Sequence, residues 1–220
     1  MKSANKKIIA IEGMDGVGKT TLVENWRKMI NSSKDPILRS ICNPEDIVFE
    51  HFPTEGSEAR RIRKTEKNID EEKLQVLMME DIVQRIDRFC NKDKESIMIC
   101  DRFLFSNFLY SFNMDISTFF NKLNEIWTQY NLPMYDIFSK KYLTTILVEI
   151  PEEERLKRIF VGRPESERDS NETEVYQYEL FKRYKYLVHA TNKTGCMVQY
   201  IHDKFNIHRY YPLIDSMRVM

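Results

Sequence analysis

Glu12-Gly13-Met14-Asp15-Gly16-Val17-Gly18-Lys19-Thr20-Thr21 lies between an apolar run, Ile8-Ile9-Ala10-Ile11, and a helical stretch, Thr20–Ile30. Strand, G-x-x-x-x-G-K-T turn and helix, in that order, form a cradle for phosphate. The glycines let backbone N–H groups close around phosphate oxygens, Lys19 brings a cation to the β/γ-phosphates, and Thr20 offers a hydroxyl to Mg²⁺. The helix N-terminus adds free N–H donors and the positive end of its dipole. Gly13, Met14, Asp15, Gly16, Val17, Gly18, Lys19, Thr20 and Thr21 are therefore the candidate contacts to a nucleoside triphosphate. A glycine-rich turn alone would not explain why Lys and Thr follow the last Gly.

Outward from this loop, apolar strand candidates alternate with longer helical patterns. The strands are Lys7–Glu12, Ile47–Phe52, Ser96–Cys100, Leu143–Ile150 and Met197–His202. Between them run helices over Asp70–Asn91, Ser106–Tyr110 leading on to Ile116–Tyr130, Glu152–Phe160 and Glu174–Thr191. Such alternation implies βαβ units and an α/β fold whose parallel sheet is covered on both faces. Right-handed crossovers then bring all strand carboxyl ends to one edge, where ligands collect. Strand ends at Gly13, Phe52, Asp101 and Pro151 define the rim to search.

Composition narrows the classes. Lys plus Arg and Asp plus Glu number 34 each over 220 residues, so the chain lacks a broad electrostatic footprint for nucleic acid or anionic membrane. One local basic cluster occurs, Arg60-Arg61-Ile62-Arg63-Lys64. Cys42, Cys90, Cys100 and Cys196 are scattered, without a C-x-x-C pair, and read as thiols in a reducing compartment. The longest apolar runs are strand-sized, so a cytoplasmic protein without a membrane span is expected.

Asp101 ends the apolar strand Ile97-Met98-Ile99-Cys100, where a second carboxylate would hold Mg²⁺ through water or orient Thr20. Arg102 follows it, suited to clamping an anion. With these residues a family resemblance emerges. Glu12–Thr21 resembles the phosphate loop of thymidylate kinases, including the Glu-Gly opening and Asp15. Asp101-Arg102-Phe103-Leu104-Phe105-Ser106-Asn107-Phe108-Leu109-Tyr110 is similar to the family's D-R-Y-x-x-S-x-x-A-Y segment. Phe52-Pro53 matches its F-P element, and Leu147–Pro151 followed by Arg155 and Arg158 is similar to its strand entering the lid. The resemblance spans roughly residues 7–190.

The resemblance implies a P-loop NTPase-type three-layer α/β/α fold with a central five-stranded parallel sheet and a lid. One nucleoside monophosphate kinase domain would cover 1–220, with the phosphate loop at 13–20, acceptor-binding helices about 54–91 and the lid about 160–173. The implied reaction is ATP-dependent phosphorylation of a deoxynucleoside monophosphate, dTMP to dTDP, with Mg²⁺, in a homodimer. Asp15 would contact the 3′-hydroxyl of the acceptor, Arg102 would clamp its 5′-phosphate, and Phe52 and Ser106 would line its site. Asn107 would face the base, and Tyr110 would fill the space beneath C2′, although packing of one helix face explains Tyr110 as well. A phosphate loop without a basic residue at Gly16 goes with arginines supplied by the lid. Arg163 and Arg168 are the candidates, with Arg158 behind them.

Three departures stand out. The F-P element is followed by Thr54-Glu55-Gly56 rather than by an Arg, leaving Arg60, Arg61 and Arg63 as alternatives for the acceptor phosphate. The family's base-stacking Phe and its Arg four residues on fall, by spacing from Asp101, on Leu77 and Asp81. Gln84 and Arg85 would serve if the helix were shifted. A carboxylate at Asp81 accepts hydrogen bonds and would suit an exocyclic amine, which points to tolerance of a base other than thymine. The family's P-D pair before strand 4 is replaced by Lys141-Tyr142. Two other readings compete. A deoxynucleoside kinase would need a carboxylate base after strand 2, for which Glu50 and Glu55 are candidates. A P-loop switch module would need a guanine-reading N-K-x-D, and Asn121-Lys122-Leu123-Asn124 lacks its Asp.

Overall fold

The computed structural model describes residues 6–32, 43–66, 70–92, 96–130, 142–162, 164, 173–193 and 198–202. Within these, strands and helices alternate: β1 (Lys7–Glu12), α1 (Lys19–Ser32), β2 (Ile47–His51), α2 (Glu58–Thr65), α3 (Glu71–Asn91), β3 (Ile97–Asp101) and α4 (Leu104–Tyr110). Then follow α5 (Ile116–Gln129), β4 (Leu143–Glu149), α6 (Glu152–Phe160), α7 (Glu174–Lys193) and β5 (Val198–His202). The sheet is five-stranded in the order β2-β3-β1-β4-β5, with every pairing parallel. The α/β class and strand number expected from the alternating pattern are thus present.

Central position explains why β1 reads as an unbroken apolar run. Every one of its residues is buried, because helices cover both faces of the sheet. On one face Trp26 and Ile30 of α1 join Ile9, Ile11, Ile99 and Leu180 of α7. On the other, Met79, Ile82, Val83 and Ile86 of α3 meet Ala10, Met98 and Trp127 of α5. Each such side chain contributes roughly 1.5–3 kcal/mol of burial before entropy is counted.

Helix starts follow local chemistry. Asp70 caps α3 by accepting from the N–H groups of Glu72 and Lys73, Ser57 caps α2 through Arg60 N, and Asp115 caps α5 through Thr118 N. The register aligns the strand ends on one rim: Ile11 lies opposite Asp101, His51 opposite Asp101, and Glu12 opposite Leu147. Strand bounds differ from the sequence expectation by one residue at most. The helix expected from Ser106 begins at Leu104.

Candidate active site

The turn after β1 carries backbone that only glycine adopts freely. Gly13 has φ +144°, and a Cβ there would lie 2.5 Å from the Val148 carbonyl oxygen, so the loop presses directly on β4. Gly16, at φ +82°, turns the chain into α1. Lys19, the first residue of α1, is buried, and its Nζ donates to the carbonyl oxygens of Gly13 (2.8 Å) and Met14 (2.6 Å). Burial, reinforced by the nearby Arg102 charge, lowers its pKa to about 7.

A cavity of about 270 Å³ opens over this loop, lined by Asp15, Gly16, Gly18, Lys19, Thr20, Thr21, Arg102 and Arg158. A second cavity, on the α3 side, is lined by Asp15, Phe52, Arg102, Phe103, Ser106, Asn107 and Tyr110, with Arg63, Glu71, Leu74, Gln75, Met78, Ile82 and Tyr176. Asp15 and Arg102 border both. Two anion-sized spaces therefore meet at one carboxylate and one guanidinium.

Arg102 adopts φ +70°, a left-handed conformation rare for a residue with a side chain, while its N–H stays on the Ile11 carbonyl (3.0 Å). Such backbone costs of order 1–3 kcal/mol and persists where surroundings enforce it. Here it accompanies an ion pair of the Arg102 guanidinium with Asp15 Oδ1. The Tyr110 hydroxyl donates to Asp15 Oδ2 at 2.7 Å, and the guanidinium lies 5.3 Å from the Tyr110 ring centroid. Burial alone would push the Asp15 carboxyl up. Arg102, Lys19 and Tyr110 outweigh it and hold the group well below the usual carboxylate range. Burial pushes the Tyr110 phenol far up, so it stays a donor.

At the sheet edge, Thr20 Oγ1 donates to Asp101 Oδ2 (2.5 Å), and His51 Nδ1 lies 3.0 Å from the same oxygen. Asp101 Oδ1 is buried and has no hydrogen-bond partner among the described residues. An unpaired buried carboxylate oxygen beside a threonine hydroxyl fits Mg²⁺, which takes hard oxygen donors and few protein ligands. The described residues contain no group of three or more His, Cys, Asp or Glu that could hold a metal, here or elsewhere.

Behind the loop, Arg155 is only 1% exposed. It donates to the Asp15 carbonyl (3.1 Å), to Gln177 Oε1 (2.6 Å) and to both Glu152 oxygens (2.7 and 2.6 Å), tying α6 and α7 to the loop. Arg158, one turn on, reaches the Gly16 carbonyl at 3.4 Å and lines the loop cavity. Arg163 and Arg168, favoured from sequence, lie outside the described residues. The cation the structure sets against the loop is the one ranked behind them.

On α3 the structure departs from the spacing expectation for Leu77 and Asp81. Asp81 does not line the acceptor-side cavity. Both its oxygens accept from Thr54, from the backbone N–H at 2.6 Å and from the hydroxyl, which pins the turn after β2. Leu77 is not on that lining either. The α3 positions on that lining are Glu71, Leu74, Gln75, Met78 and Ile82, and neither counted residue is among them. The shifted alternative fails too, since Arg85 is ion-paired with Glu50 and Gln84 does not line the cavity. Asp81 therefore gives no ground for an amine-bearing base. Among the three arginines of α2, Arg63 lines the cavity, Arg60 donates to the Pro53 carbonyl (3.4 Å), and Arg61 pairs with Glu58.

Ser106 lines the cavity but is engaged: its N–H lies 3.2 Å from both oxygens of buried Glu12, and its hydroxyl donates to Glu12 Oε2. Sequence reasoning gave Glu12 no role, although an acid closing an apolar strand was a signal. Tyr176 left none, since only the packing of α7 brings it to the cavity.

The family model for thymidylate kinase matches residues 11–209. A curated relative, a probable thymidylate kinase from Methanococcus aeolicus, is 28% identical over 168 residues, covering 76% of this chain and 69% of the relative. Among solved structures, thymidylate kinase from Ehrlichia chaffeensis superposes with a TM-score of 0.62 at 16% identity, covering 98% of this chain and 99% of that one. Thymidylate kinase from Candida albicans gives 0.62 at 17% identity, covering 99% and 93%. At such identities the structural matches establish the fold.

Proposed function

This chain belongs to the thymidylate kinase family, and on that premise we propose that it transfers the γ-phosphoryl group of ATP to the 5′-phosphate of dTMP. The observation that carries this reading is the meeting of two cavities at Asp15 and Arg102, with Lys19 on the wall of one and Asn107 and Tyr110 on the other. Backbone N–H groups of residues 13–20 and Lys19 would hold the donor phosphates. Arg102 would hold the acceptor phosphate at the boundary, and Asp15 the 3′-hydroxyl.

The acceptor phosphate is already anionic and nucleophilic, so no covalent intermediate is needed. Alignment and charge neutralisation carry the rate. Lys19, Arg102 and Arg158 surround the space in which charge develops, and such fixed donors act strongly where water is excluded. Thr20 and Asp101 would hold Mg²⁺, which when bound neutralises phosphate charge. The lid at about 160–173, with Arg163 and Arg168, would add cations on closure. Tyr110, packed beneath the ribose, would disfavour a 2′-hydroxyl by clash.

We also propose a homodimer and a cytoplasmic location. In support, Ile116 and Phe120 are exposed four residues apart on α5, and Cys90 and Cys100 are free thiols. No helix among the described residues is long and apolar enough to cross a membrane. A nucleoside kinase draws no support from the carboxylates it would require: Glu50 is ion-paired with Arg85, and Glu55 sits exposed in the turn after β2. The test is ADP release coupled to a spectroscopic readout with dTMP, dUMP, dCMP, dGMP and thymidine as acceptors. Turnover with dTMP and none with thymidine supports the reading. Turnover with thymidine alone, or without any acceptor, refutes it.

A further inference from the structure

We propose, resting on that reading, that Gln75 selects the base of the acceptor nucleotide by pairing its side-chain amide with the N3–H and O4 edge of a thymine or uracil ring. Gln75 lies on α3, only 7% exposed, on the wall of the acceptor-side cavity. Its Oε1 is buried and has no hydrogen-bond partner among the described residues. Asn107 on α4, 1% exposed, lines the same cavity, and its Oδ1 is likewise unpaired. The Asn107 Nδ2 donates to the Gln75 carbonyl oxygen at 3.4 Å, so the two residues are neighbours across the helix contact.

Folded proteins seldom bury an amide oxygen without a partner, and two such oxygens on one cavity wall call for a ligand that satisfies them. The surrounding wall is apolar: Leu74, Met78, Ile82, Phe52 and Phe103. Such a slot takes the flat face of a base and leaves its polar edge to the amides. No residue that α3 contributes to the wall is a cation; they are Glu71, Leu74, Gln75, Met78 and Ile82. A primary amide carries a donor and an acceptor side by side. The edge of a 4-oxopyrimidine shows the complement, an N3–H donor beside an O4 acceptor.

An amide can rotate to offer the opposite order, which would fit cytosine. Asn107 decides between them. One of its two amide hydrogens is held by the Gln75 backbone carbonyl, and its unpaired buried atom is Oδ1, an acceptor that can share the N3–H of thymine but faces the lone pair of cytosine N3 unfavourably. Together the pair admits thymine and uracil and resists cytosine.

The experiment uses the full chain and its Gln75→Leu and Gln75→Glu variants, with ATP and dTMP, dUMP or dCMP. Gln75→Leu raises the KM for dTMP about 10- to 100-fold with kcat within about threefold, since the base is remote from the reacting phosphate. Gln75→Glu keeps the shape but only accepts hydrogen bonds, so the ratio of kcat/KM for dTMP over dCMP falls at least about tenfold. The KM for ATP stays unchanged in both. Folded variants that keep the wild-type KM for dTMP and the wild-type ratio overturn the proposal. Should the leucine variant fail to fold, the glutamate variant decides alone. Calorimetric binding of dTMP separates this proposal from the kinase reading. A wild-type protein that binds dTMP through Gln75 but does not phosphorylate it refutes the kinase reading only, and one that does not bind dTMP refutes both.

Discussion

Replacing Glu12 by Gln should stabilise the protein, and the gain should grow with pH. Glu12 ends β1 fully buried, its carboxylate held by the N–H and hydroxyl of Ser106. Burial pushes its pKa up from 4.5 to about 6; the Ser106 bonds, Lys19 and Arg102 pull it back only in part. A pKa higher in the folded state than in the unfolded one means that folding favours the protonated acid. The resulting stability is fully present below about 4.5 and is lost as pH rises through about 6. At about 1.4 kcal/mol per tenfold change in proton affinity, ionised Glu12 costs about 2 kcal/mol at pH 8. Gln has the same shape, can still accept from Ser106 and donate to its hydroxyl, and carries no charge. Urea unfolding should therefore show Glu12→Gln more stable than wild type by about 2 kcal/mol at pH 8 and by less than half of that at pH 5. The corresponding rise in Tm at pH 8 is about 4–8 °C for a chain of this length. A stability difference that is equal at both pH values would refute the reasoning, because the cost would then not be one of ionisation.

Lys19→Ala should lower kcat/KM for ATP by about 10²-fold or more while the thermal melt barely moves, because the side chain bonds only loop carbonyls; near-normal turnover contradicts its assigned role. Tyr110→Phe removes the 2.7 Å bond to Asp15 but keeps the ring, so discrimination against a ribonucleotide acceptor persists, whereas Tyr110→Ala relaxes it about tenfold. Acceptor competition assays measure both, and an unchanged ratio in the alanine variant assigns Tyr110 to packing. Arg155→Ala strands Glu152 and Gln177 and should cost about 3–5 kcal/mol in chemical denaturation. Arg158→Ala, from a half-exposed position, should leave the melt nearly unchanged and reduce kcat at least about tenfold. Equal effects of the two on stability would show that Arg158 is also structural.

Local geometry was legible in the order of residues alone. The phosphate loop, its strand and its helix are contiguous, and the glycine, lysine and threonine spacing follows from backbone geometry alone. Alternating apolar runs located five strands to within a residue at each end, and apolar residues on both faces of β1 announced a covered parallel sheet. Asp101 was legible because it ends such a run. The tertiary structure decided which faces meet. Counting back from Asp101 to α3 landed on Leu77 and Asp81, but each residue along a helix turns by about 100°, so a slip of one position from Met78 and Ile82 turned the reading away from the cavity. The packing of α3 against the sheet and α5 sets that phase, and no periodicity in the sequence encodes it. The choice of Arg63 among three arginines follows from how α2 leaves its Ser57 cap and packs on α3. Asp15 and Arg102 are 87 residues apart, and Tyr176 comes from another helix again. Only burial of the two helical layers against one sheet brings them together, since packing acts between surfaces that chain order leaves distant.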